Sequence, residues 1–146
     1  MDPTIGILYD LAQRAGRVNR HLAFALDGAV PSGNDQKIIT TREGKRKLVR
    51  GDDVEGWKVD VVRLCRDAAV RAKWPNLPAR CPLLISVTAR FPTDLRRDVD
   101  NIQKILGDAI AAAFYVDDRD FEWHARRIVD PSRPAGIDVT IWQLDQ

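Results

Sequence analysis

Cysteine and histidine are scarce in this chain, with two of each in 146 residues. Cys65 and Cys81 have neither a metal-binding spacing nor the numbers of a disulfide framework, so both thiols are expected free, in a reducing cytoplasm. With no His/Cys set, zinc is excluded as the natural metal. No apolar run approaches the ~20 residues of a membrane span, which leaves no membrane partner. The N-terminus, MDPTIGILYD, is acidic first and lacks the basic-then-apolar layout of a signal peptide. Repeats and low-complexity tracts are also missing.

The composition that remains is that of a folded protein. Hydrophobic residues make up 45% and charged residues 30%, which argues against disorder. The length fits one domain with one moderate core. Net charge is only +2, but its distribution is uneven. The segment KIITTREGKRKLVR holds six basic residues, Lys37, Arg42, Lys45, Arg46, Lys47 and Arg50, against one acid. From Asp98 to Asp120 acids outnumber bases. A basic segment that attracts phosphates and an acidic cluster that binds a cation suit an enzyme handling a polyanion. Two solvated surface patches would give the same counts.

Hydrophobic spacing divides the chain into elements. Residues 1–20 read as a short helical extension, with Asp2 as cap, Pro3 in the first turn and Ile5, Leu8, Leu11, Ala12 and Ala15 on one face. Residues 21–146 form the main domain. Leu22, Phe24 and Leu26 alternate as a strand, and DGAVPSGN is a turn. The basic segment is expected to be a hairpin or ordered loop around Gly44. Asp52 or Asp53 caps a long helix carrying Val54, Trp57, Val61, Leu64, Cys65, Ala68 and Ala72. WPNLPARCP breaks it. Leu83, Ile85, Val87, Ala89 and Phe91 then alternate as a half-buried strand. Ile102, Ile105, Leu106, Ala109, Ile110 and Ala113 stripe a helix over 101–114. FEWHARRIV and IDVTIWQL are expected to pair as an antiparallel hairpin across DPSRPAG, with Trp123 facing Trp142. This order predicts an α+β, or mixed α/β, fold: a small sheet, two main helices and the short N-terminal helix.

The chemistry concentrates in RRDVDNIQKILGDA. Asp98 and Asp100 flank one valine; in an extended segment both carboxylates fall on one face. Asp100 or Asn101 also stands at the helix N-cap, where free N–H groups favour a carboxylate. Asn101, Lys104 and Asp108 follow along one helix face. A second acidic group, Asp117, Asp118 and Asp120, lies beyond the helix. It reaches the first pair only if the next strand runs back beside the strand ending near Asp98. Such carboxylates suit Mg²⁺, with Mn²⁺ as its substitute, and a metal-bound phosphate suits a lysine one helical turn away. A simpler reading is a cap and a turn, with Lys104–Asp108 an exposed pair worth roughly 0.3 kcal/mol. His124 and His21 read as structural, Trp57 as core, and Trp74 fits either a structural or a base-stacking role.

The arrangement resembles the RusA family of Holliday-junction resolvases, of phage or prophage type. The resemblance is carried by RRDVDNIQKILGDAI and VDDRDFEWHARRI, and more weakly by FALDGAVPSGND. It implies an Mg²⁺-dependent endonuclease that acts as a homodimer and cuts four-way DNA junctions by paired nicks. By position, Asp98, Asp100 and Asp118 would bind metal and Lys104 would be the essential basic side chain. Asp117 would be a further metal ligand, and Asn101 and Asp108 would support the site. Lys37, Arg42, Lys45, Arg46, Lys47 and Arg50, with Arg96 and Arg97, would contact DNA. A module that binds branched DNA without cutting it, and a nuclease for another branched substrate, are the alternatives.

Overall fold

In the computed structural model, the described residues are 18–28, 36–40, 46–50, 52–93 and 99–144. The expected N-terminal helix lies almost wholly outside them. They form a mixed α+β fold of a four-stranded sheet, a separate two-stranded ribbon and two main helices. In chain order these are β1 (Val18–Asp27), β2 (Gln36–Thr40), β3 (Arg46–Arg50), α1 (Asp52–Arg71), β4 (Leu83–Phe91), α2 (Val99–Phe114), β5 (Phe121–Val129) and β6 (Gly136–Leu144), with a 3₁₀ turn at Asp118–Asp120 before β5. The basic segment is a hairpin as expected: β2 and β3 pair antiparallel, Ile38 opposite Leu48.

The sheet order is β1-β6-β4-β5. Strand β6 runs antiparallel to both β1 and β4, whereas β5 runs parallel to β4. The expected β5–β6 hairpin is therefore wrong. A strand that reaches the sheet through a helical crossover joins it parallel to the strand it left. Leaving β4 through α2, the chain returns as β5 along one edge of β4, so β6 takes the other edge. Trp123 accordingly stands opposite Ile85, while Trp142 stands opposite His21 and Leu84, and the two indoles do not pair across a hairpin.

Register places Leu22, Phe24, Ile137, Val139, Ile141, Leu83, Ile85, Val87, Ala89, Phe121 and Trp123 on the helix-facing side. Val54, Trp57, Val61, Cys65 and Ala68 of α1 and the Ile102–Ala113 stripe of α2 pack into the same core. Trp57 is core as expected, but Ala72 is exposed. Strand β4 is buried on both faces rather than one: Ser86, Thr88 and Arg90 are buried beside its apolar residues. A buried guanidinium requires partners. Arg90 donates from Nη2 to Asp27 at 2.7 Å, from Nε to Asp138 at 3.1 Å and from Nη1 to the Pro134 carbonyl at 2.8 Å, tying the ends of β1, β4 and β6 together. Both cysteines are free, as expected, and both are buried. No helix among the described residues is long and apolar enough to cross a membrane.

Candidate functional site

Helix α2 begins at Val99, so Asp100 lies in its first turn rather than in an extended segment. The same-face argument for Asp98 and Asp100 requires extended backbone at both positions, which Asp100 does not have. Asp98, Arg96 and Arg97 lie outside the described residues, as do Arg42 and Lys45. Lys37 lies on β2, Arg46, Lys47 and Arg50 on β3, and Asp100 and Asn101 on α2. For these the backbone position is what is described.

The next turn of α2 builds a cleft. Gln103, Lys104 and Gly107 form one wall, and Asp118 and Trp123 form the other, around a cavity of about 280 Å³. Lys104 is exposed and stands about 6 Å along the helix axis from Asp100. Gly107 packs closely on the indole: a Cβ there would lie 3.1 Å from Cζ2 of Trp123, so the ring would have to give by a few tenths of an ångström. Between the strand and the helix end, the 3₁₀ turn carries Asp118 to the cleft mouth, where it is exposed. Among the described residues the side chains of Lys104 and Asp118 make no hydrogen bond or ion pair, and no ion pair joins Lys104 to Asp108. Lys104 and, from the second acidic group, Asp118 line the same cleft.

The other two acids of that group are engaged elsewhere. Asp117 caps the turn, accepting from the Arg119 backbone N–H at 2.9 Å and pairing with the Arg119 side chain at 3.4 Å. Asp120 receives two hydrogen bonds from Arg80, at 2.7 and 3.0 Å. Hydrogen bonding from Arg80 holds the Asp120 carboxyl below the usual carboxylate range, and the same contact raises the arginine. Asp117 is engaged at the turn and is not among the residues that line the cleft. Among the described residues no three of His, Cys, Asp and Glu converge as a metal cluster. A larger hollow, about 460 Å³, is lined by Pro82, Arg119, Asp120, Phe121 and Glu122. Its Arg119 and Asp120 are already paired with Asp117 and Arg80, so the smaller cleft offers the more available chemistry.

The tryptophans sort by environment. Trp74 stacks on Phe114 at 5.4 Å and donates to the His21 carbonyl, which makes it structural. Trp57 and Trp142 are buried. Trp123 is half-buried and lines the cleft. Sequence reasoning missed Trp123 and Gln103 as site residues. Helical spacing could have found Gln103, since it precedes Lys104; Trp123 required knowledge that β5 lies beside β4.

No family model matches the sequence, and no curated protein does. Among solved structures, 2C-methyl-D-erythritol 2,4-cyclodiphosphate synthase from Plasmodium vivax matches at 12% identity and TM-score 0.41, over 90% of this chain and 99% of that one. The Plasmodium falciparum IspF–CDP complex matches at 11% identity and TM-score 0.42, over 88% and 95%. The bifunctional IspDF from Campylobacter jejuni matches at 8% identity and TM-score 0.39, over 88% of this chain and 42% of that one. Likeness at this level transfers no activity to this chain. These structures nonetheless belong to a family other than the one expected, and no family model ties the chain to the resolvases. The RusA assignment is corrected accordingly. With it go the junction endonuclease, its recombination and repair roles, the branched-DNA partner and the non-catalytic DNA-binding alternative.

Proposed function

We propose that the chain is an enzyme that acts on a phosphate-bearing substrate in the cleft between α2 and β5, with a divalent cation. The observation that carries this is the meeting of Lys104 and Asp118, from separate elements, at one open cavity with no partner for either among the described residues. An ammonium and a carboxylate left unneutralised by their neighbours are suited to ligands of opposite charge.

The donor chemistry fits a hard cation. Asp118 offers carboxylate oxygen and the cleft lining contains no thiol or imidazole, which suits Mg²⁺ or Mn²⁺. When bound, the cation would neutralise phosphate charge and acidify water. Lys104 would hold a phosphate oxygen and stabilise charge as it develops, and the Gln103 carboxamide would orient the group.

Two substitutions separate these roles. Asp118→Asn should weaken Mn²⁺ binding, followed by electron paramagnetic resonance, by about tenfold or more. Lys104→Ala should leave Mn²⁺ binding intact but lower Mn²⁺-dependent hydrolysis of p-nitrophenyl phosphate about 100-fold. Mn²⁺ affinity indifferent to Asp118, or hydrolysis indifferent to Lys104, would overturn the reading.

A further inference from the structure

The geometry points to Trp123 as a specificity-determining wall of this cleft, and to a substrate that carries a planar ring beside its phosphate, of nucleotide chemistry. This rests on the phosphate reading above and adds the identity of the second half of the ligand.

Three observations converge on it. First, the other tryptophans are occupied: Trp57 and Trp142 are buried and Trp74 is stacked on Phe114. Trp123 alone of the four lines a cavity with a lysine and a carboxylate. Second, its ring is held. One edge lies against Gly107, where a Cβ would come within 3.1 Å, and Phe121 meets it edge-on at 6.3 Å and 62°. A ring fixed on two sides stacks with little loss of side-chain freedom. Third, the polar groups beside it are unspent. Neither the indole N–H of Trp123 nor the carboxamide of Gln103 has a hydrogen-bond partner among the described residues. The cleft therefore offers an aromatic surface, neutral donors and an acceptor, and a cation–carboxylate pair in one place. Phosphate alone uses only the last of these; a heterocyclic ring joined to phosphate uses all three.

The test compares ligands with and without the ring. Full-length protein with Mn²⁺ is titrated by calorimetry with ADP, inorganic diphosphate and adenosine, while tryptophan fluorescence is recorded. ADP should bind about tenfold or more tightly than diphosphate and quench fluorescence. Trp123→Leu should abolish the preference of ADP over diphosphate; Trp123→Phe, which keeps an aromatic surface, should retain most of it. Circular dichroism confirms that both variants fold. Equal binding of ADP and diphosphate, or a preference that survives Trp123→Leu, overturns the role of Trp123 while the phosphate reading stands. Failure of all three ligands to bind overturns both.

Discussion

Asp117, Asp118 and Asp120 look equivalent in sequence, yet each has a separate environment. Asp117 closes a turn, Asp120 is gripped by Arg80, and Asp118 is left for the cleft. The acidic cluster was legible from composition, but its division was not, because Arg80 is distant in the chain and its pairing depends on tertiary structure. The cysteines show the same dependence. Both read as free, and burial supplies the rest: it pushes the Cys65 thiol up to about 12, against the opposing pull of Arg66, and raises Cys81 as well. The unfolded thiol titrates near pH ~8.5, so the folded state retains a proton that the unfolded state loses. The Cys65 contribution is whole below that pH and is lost as pH rises toward about 12. Cys65→Val should therefore flatten the alkaline limb of stability, removing a decline of about 1 kcal/mol per pH unit once the unfolded thiol ionises. Urea unfolding at pH 8 and pH 10.5 measures it; equal slopes for the two proteins would show that Cys65 is not shielded.

At the scale of elements, periodicity located the two main helices and the strands of the sheet because each buries a continuous face. It failed where pairing depends on order in space. FEWHARRIV and IDVTIWQL have the alternation of a hairpin, but nothing local in them records that β4 lies between. Arg90 likewise sits within an apolar alternation, and only its contacts with Asp27 and Asp138 explain its burial. The close approach of β1 to β6 near this cluster yields a sharp expectation. A Cβ on Gly136 would collide with the Leu26 carbonyl oxygen and lie 3.0 Å from Cα of Asp27, both backbone atoms. Gly136→Ala should therefore destabilise by about 2–3 kcal/mol, since overpacked backbone has little room to yield. Chemical denaturation measures this, and a change within about 0.5 kcal/mol would mean that the strands separate freely there.

For the whole molecule, stability should be graded across the sheet. Strand β4 is paired on both edges and carries fully buried Leu83, Ile85, Val87 and Ala89, whereas the outer edge of β5 has no neighbour among the described residues. Amide exchange should be slowest in β4, at the rate of global unfolding, and fastest at the outward N–H groups of β5. Equal protection of those outward groups would reveal a further strand or partner along that edge. The cleft depends on the same gradation, since Lys104 stands on a helix packed into the core while Trp123 and Asp118 belong to the edge strand and the turn that precedes it.

The pairing of β1 with β6 also has a mechanical consequence. Val18 lies opposite Leu144, so the two described ends of the chain leave the sheet side by side. Tension applied to them loads the ladder one register pair at a time, from Val18–Leu144 inward, instead of shearing all pairs together. The Arg90–Asp27 contact stands at the far end of that sequence, where the tear would arrive last. Along this axis the molecule is a zip fastened at its base, yielding to small forces whatever its thermodynamic stability.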